Sequence, residues 1–200
     1  MKYDFSKGVS RSAGRVFSAF REALYLLLQR QSFESITVQA LCTEADYPRS
    51  TFYNYFNDIY DLLEFCLDSP IQGLDSQKYK PYSSADRVYA VFADLYDLLE
   101  TQRNALNRIF VNNKPDGVLR TAFIRQLENR VLLSLADALP EQDAISREML
   151  AEHCAGVLLL VFSWCFVKKD FLSKEAGMEA LRFLVGGIYR NAPAEGGAAS

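Results

Sequence analysis

The chain has 200 residues, half of them hydrophobic and 24% charged, which excludes wholesale disorder and allows a sizeable packed core. Its net charge of −3 excludes a uniformly basic nucleic-acid binder, so any phosphate-binding surface has to be local. Six prolines and ten glycines are few for this length and, with abundant Leu, Ala, Glu and Arg, favour long helices and an all-α fold.

Met1–Ser10 is polar and has no apolar segment, so no secretory signal is expected and the protein is read as cytoplasmic. A first helix is predicted over 12–30, where Val16, Phe17, Phe20, Leu24, Leu27 and Leu28 form one apolar face. Charge is uneven along this part of the chain. Residues 1–30 carry Lys2, Lys7, Arg11, Arg15, Arg21 and Arg30 against two acids, whereas residues 31–68 carry Arg49 alone against seven acids. Thr37 is placed to cap a short helix over 38–45, with Val38, Leu41, Cys42 and Ala45 inward. Asp46, Tyr47 and Pro48 interrupt it, because proline lacks an amide proton and disfavours helix in the residue before it. Pro48 suits the start of the next helix, predicted over 49–56. There Phe52 and Phe56 would anchor to the core, leaving Arg49, Ser50, Thr51, Tyr53, Asn54 and Tyr55 outside. Asn57 or Asp58 caps a fourth helix running to 68, and 69–84 is a connector with room for one helical turn.

Helices are then expected over 84–102, 104–111, 116–139, 141–168 and 174–189, followed by a Gly/Ala/Pro tail at 191–200 that is expected to be disordered. Two stripes stand out in the last pair: Val157, Leu160, Val161 and Trp164, and Leu181, Leu184, Val185 and Ile188. Each suits a dimer interface or an internal core. The apolar run 154–167 is too short to span a bilayer and reads as a buried helix, so no membrane partner is expected. Cys42, Cys66, Cys154 and Cys165 fit neither a zinc site nor a disulfide framework and read as four buried thiols, a redox sensor being the alternative. The single histidine, His153, belongs to no catalytic or metal-ligating motif, and no phosphate loop is present. The expectation is a non-enzyme with no cofactor and no metal.

A short helix, a tight break and a second short helix with polar outer positions form a helix-turn-helix pattern. The runs Ile36–Ala45 and Ser50–Phe56, followed by Tyr60-Asp61-Leu62-Leu63, resemble the TetR family of bacterial transcriptional regulators over about residues 16–63. The resemblance implies a three-helix DNA-binding head (1–57) and a helical ligand-binding and dimerisation domain (58–190), with the tail (191–200) beyond. It implies that Thr51 and Tyr55 hold DNA phosphates and that Arg49, Ser50, Tyr53 and Asn54 face base edges; Thr37 completes the candidate DNA contacts. The chemistry agrees, since Arg pairs bidentately with guanine, Asn with adenine, and a Tyr ring packs on a thymine methyl.

Three positions depart from the family pattern: Asp46 stands where glycine is usual, Pro48 where a capping Ser or Thr is common, and Ile59 where a phosphate-contacting Lys is usual. The expected partners are a double-stranded DNA operator, a second copy of the chain bound through the last two helices, and a small apolar effector. Tyr89, Phe92, Tyr96, Phe110, Phe123 and Trp164 are candidates for the effector pocket, although such residues are more often plain core. The expected role is a repressor released by that effector, with activation left open. The alternative is a helical adaptor that has lost DNA binding and acts through a protein partner.

Overall fold

A computed structural model describes residues 9–68, 76–135, 139, 145–168 and 171–190, the side chains of 76, 84, 85 and 187–190 excepted. Lys2, Lys7 and the tail at 191–200 lie outside the described residues, as does the side chain of Ile188. The regular elements among the described residues are all helical, as the composition predicts. The chain divides into two compact units, Met1–Gln72 with Gln102–Gln126, and Gly73–Thr101 with Leu127–Ser200.

In the first unit, α1 (Arg11–Leu28) opens on Ser10, whose hydroxyl oxygen accepts from the Ala13 amide. All six residues of its predicted apolar face are buried. A single 3-10 turn at Phe33–Ser35 leads to α2 (Val38–Ala45), a tight turn, α3 (Arg49–Tyr55) and α4 (Ile59–Asp68). The core between them is aromatic. Phe20 meets Phe52 edge-on at 5.3 Å, Phe52 lies 5.4 Å from Phe56, and Phe17 meets Phe56 at 6.0 Å. Each fully buried ring contributes about 1.5–3 kcal/mol through its area, and each edge contact about 0.5–1.5 kcal/mol more. This core also takes in Ile109 of α7 (Arg103–Asn112) and Leu119 of α8 (Val118–Leu135). The compact unit is therefore larger than the head bounded at 57 by the sequence pattern.

The second unit holds α5 (Ser76–Tyr79), α6 (Ser84–Thr101), the second half of α8, α9 (Arg147–Phe166) and α10 (Lys174–Arg190). Its centre is the stack of Phe92 on Phe162 at 5.1 Å, flanked by Tyr96 against Phe166 at 5.0 Å. Gly177 lets α10 close on this centre: a Cβ there would sit 2.9 Å from both Cys165 Sγ and Phe92 Cζ. Tyr79 is fully buried and donates its hydroxyl to Asp94, which also pairs with Lys78. Those two partners outweigh the burial of Asp94 and hold its carboxyl below the usual range.

Several expectations need correction. The helix expected from 141 begins at Arg147, because Ser146 caps it with a hydroxyl that accepts from the Met149 amide. At 20 residues α9 is long and apolar enough, by length and composition alone, to cross a bilayer, a test that a core helix also passes. Half of it is buried, and Cys154, Ala155, Leu158, Val161 and Phe162 pack inside the unit. Cys66 is only half-buried, unlike the other three cysteines, but burial still pushes its thiol up to about 12, against the pull of Arg21. α3 begins at Arg49, as expected, with Pro48 as its N-cap, and ends one residue early at Tyr55.

The turn between α2 and α3 places Asp46 in the left-handed region, at φ 55° and ψ 45°. An L-residue is strained there by about 1–2 kcal/mol, partly offset by the smaller unfolded-state entropy of any non-glycine residue. Asp46→Gly is expected to stabilise the protein by about 0.5–1 kcal/mol, raising Tm by about 1–4 °C in thermal unfolding followed by circular dichroism. An unchanged or lower Tm would contradict the strain.

Candidate nucleic-acid interface

A seven-residue helix with one buried side chain presents most of its circumference outward. In α3 that buried residue is Phe52, and Phe56 at its C-cap is buried one turn later. Arg49, Ser50, Tyr53 and Asn54 are exposed, while Thr51 and Tyr55 are half-buried. The Tyr53 ring meets Phe52 edge-on at 5.4 Å. The Tyr55 ring meets Phe17 of α1 edge-on at 5.2 Å, which ties the C-terminal end of α3 to the long helix beneath it.

The turn ahead of α3 is well satisfied. The Tyr47 amide donates to the Cys42 carbonyl, the Pro48 carbonyl accepts from the Thr51 amide at 2.9 Å, and the Tyr47 ring lies 5.8 Å from Phe20. Pro48 offers no side-chain cap. Thr37 is exposed and caps α2, its oxygen accepting from the Ala40 amide at 3.1 Å. A hydroxyl has one donor and two acceptor positions, so the capping bond leaves the O–H donor to spare. All seven candidate DNA contacts thus lie in one compact unit, on α3 or at the start of α2.

The start of α4 differs chemically from this face. Asp58 Oδ1 accepts from the amides of Tyr60 and Asp61 at 2.9 Å each, and Asp61 Oδ2 accepts from the Asn57 amide at 2.8 Å. Helix N-termini attract anions through such amides, and here the protein's own carboxylates occupy them. Ile59 is half-buried and packs against the core of the unit, so it adds apolar contact where a lysine would add charge. Among the described residues, the bases that precede Ile59 in the unit are Arg49 itself, Arg30, which pairs with Glu44 at 3.1 Å, the half-buried Arg21 over the Phe65 ring, and the exposed Arg15 and Arg11 on α1.

The six candidate pocket residues are dispersed. Phe110 and Phe123 meet edge-on at 5.9 Å in the first unit. In the second, Phe92 and Tyr96 are core, Tyr89 lies under the Arg182 guanidinium at 5.5 Å, and Trp164 is 45% exposed with the Lys168 ammonium over its ring. A cavity of about 260 Å3 in the second unit is lined by Leu132, Leu133, Arg147, Glu148, Ala151 and Glu152, none of them among the six. His153 is exposed, and no cluster of three metal-ligating side chains occurs among the described residues.

The two apolar stripes of α9 and α10 split. Val161, Leu181 and Val185 are buried within the unit, whereas Leu160, Trp164 and Leu184 are exposed. Among the described side chains of the pair, the most exposed apolar residue, Phe183 at 82%, belongs to neither predicted stripe. On α9, His153, Gly156, Leu160, Trp164 and Val167 share one exposed line at helical spacing, and Gly156 faces open space.

No family model matches the chain, and no curated protein matches its sequence. In fold it is similar to a solved protein described as the dihydroxyacetone kinase operon activator DhaS. The two are 18% identical with a TM-score of 0.57, over 88% of this chain and 97% of that one. It is also similar to a Clostridium perfringens protein described as a fatty acid metabolism regulator, 13% identical with a TM-score of 0.50, over 88% of this chain and all of that one. At these identities the likeness is one of fold.

The capping bond gives a direct check of local geometry. Thr37→Ala is expected to cost about 1 kcal/mol of stability, while Thr37→Ser, which keeps the acceptor, costs little. Urea unfolding of both variants measures the difference, and equal midpoints would show that the cap contributes nothing.

Proposed function

We propose that the chain is a dimeric, sequence-specific DNA-binding regulator of transcription. The observation that carries this reading is α3: a helix fixed from below by Phe52 and Phe56, with Arg49, Ser50, Tyr53 and Asn54 exposed together. These side chains suit the edges of base pairs in a major groove, and Thr37, Thr51 and Tyr55 suit flanking phosphates. The two solved proteins of similar fold are both described as regulators, which supports the same class.

A recognition helix reads a half-site, and two half-sites about one helical turn apart need a two-fold dimer. The exposed line on α9, with Phe183 and Leu184 on α10, is the surface proposed to bind a second copy. A small apolar effector favouring one arrangement of the dimer would shift its affinity for DNA. Repression released by such an effector is the output proposed, and the description of DhaS as an activator supplies the second reading. Promoter fusions with and without the protein separate the two.

Selection from random duplex DNA at low and moderate salt tests the whole reading. A palindrome with half-sites about one helical turn apart is expected. Arg49→Ala should relax specificity at one base position and cost about 1–3 kcal/mol, whereas Thr51→Ala should weaken binding to all sequences alike. Ile59→Lys should tighten binding and steepen the salt dependence by about one unit per subunit. Phe183→Glu should give a folded monomer in sedimentation that no longer binds the palindrome. A folded wild-type dimer that enriches no sequence at either salt would overturn DNA binding and favour the adaptor, for which the carboxylate-filled start of α4 is the supporting feature.

A further inference from the structure

Asn113 is one of few buried polar side chains among the described residues, 3% exposed at the corner between α7 and α8. Its Oδ1 accepts from the Phe33 amide at 2.8 Å, and its Nδ2 donates to the Ile109 carbonyl at 2.8 Å. The first of these bonds spans 80 residues of chain. The pairing fixes the orientation of the amide, since a backbone N–H meets only the oxygen and a carbonyl only the NH2. Removing the side chain strands a donor and an acceptor in a buried place, the costly case for a hydrogen bond.

The same corner grips the segment joining α1 to α2 at three further points. Asn112 Nδ2 donates to the Gln29 carbonyl at 2.8 Å, and Arg108 Nε donates to Gln29 Oε1 at 3.0 Å. Glu34 Oε1 accepts from the Val118 amide at 3.3 Å, in the first turn of α8, where a carboxylate is favoured. Gly117 permits this approach, because a Cβ there would lie 3.1 Å from Glu34 Oε1 and 3.2 Å from the Lys114 carbonyl. Within itself the gripped segment is held by the Ser35 amide and hydroxyl, which both donate to the Ser32 carbonyl, and by the Ile36 amide, which donates to the Phe33 carbonyl. Its 3-10 turn has no side-chain cap, and its buried Phe33 and Ile36 lead directly into Thr37 and α2.

We propose that the α7–α8 corner is a positioning element for the helix-turn-helix, with Asn113 as the residue that sets where α2 begins and hence how α3 is presented. The proposal deepens the DNA-binding reading and rests on it. Asn113 touches no DNA in this account; it acts through Phe33.

Asn113→Leu removes donor and acceptor at similar volume, and is studied well below its own Tm. Amides of Phe33 and α2 should exchange with deuterium about tenfold faster than in wild type, while those of α4 hold their rates. If only about a tenth of the molecules keep the competent geometry, affinity for the palindrome selected by wild type should fall about tenfold. Affinity for a scrambled duplex should change little. Should this variant fail to fold, Glu34→Ala, at an exposed position, should shift both readouts in the same direction by less. A folded variant with wild-type exchange at Phe33 and α2 overturns the proposal, and so does faster exchange with unchanged affinity and specificity, which would leave Asn113 a purely structural role. If wild type selects no duplex, the DNA-binding reading fails, and hydrogen exchange alone decides whether the corner holds α2.

Discussion

A helix of seven residues does not persist in water by itself, because nucleation costs more than so few hydrogen bonds return. The face proposed for recognition therefore depends on burial of Phe52 and Phe56 against Phe20 and Phe17. Those rings fix the axis of α3 and its rotation together. With Phe52 at the core, Ser50, Tyr53 and Asn54 have to lie outside, since helical positions one and two residues away do not share its face, while Arg49 is exposed as the first residue of the helix. The polar surface is thus set by the apolar one. Tyr55 serves both, its ring packed on Phe17 at the end nearest the next helix.

Much of this was legible in the sequence because the governing signals are local. Thr37 and the Asp46–Pro48 break bound α2 at the predicted residues, and the predicted apolar face of α1 is the buried one. Asp46 takes its left-handed conformation at the position where the resemblance makes glycine usual. What stayed hidden depends on distant chain. The bond between Asn113 and Phe33 has no periodicity or motif, and the run Asn112-Asn113-Lys114-Pro115 reads as an ordinary helix stop. The aromatic residues proposed for a pocket show the complementary problem. Phe92, Tyr96 and Trp164 are alike in type, yet the close approach of Gly177 covers Phe92, the Phe166 ring lies against Tyr96, and Trp164 faces out. The α9 and α10 stripes split likewise, because a helix apolar nearly all round does not reveal which side has a partner.

Charge follows a different logic from packing. A DNA-binding surface on a chain of net charge −3 has to be small and separated from its own acids. Asp46 in the turn is exposed, while three acids of the unit are engaged: Glu44 with Arg30, Asp58 with two amides of α4, and Glu34 with the first turn of α8. Their hydrogen bonds hold them in place but leave their charge in the field, so the start of α4 offers phosphate no attraction. On the proposed reading, selectivity would rest more on base-edge contacts from α3 and less on phosphate neutralisation. Such an interface would lose relatively little affinity as salt rises.

The first unit is discontinuous in sequence, and this bears on how its stability is shared. The chain leaves the unit after Gln72 and returns at Gln102, bringing Ile109 and Leu119 into a core otherwise made by α1 to α4. Closing so long an excursion costs entropy, but the cost grows only with the logarithm of its length. The return is offset by burial of Ile109 and Leu119 and by the hydrogen bonds that the corner makes to residues 29–34. A segment that is distant in sequence and carries none of the candidate DNA contacts then shares the free energy of the recognition face. Substitutions in α7 should propagate to α2 and α3 through cooperative stability, with no direct contact to α3 required.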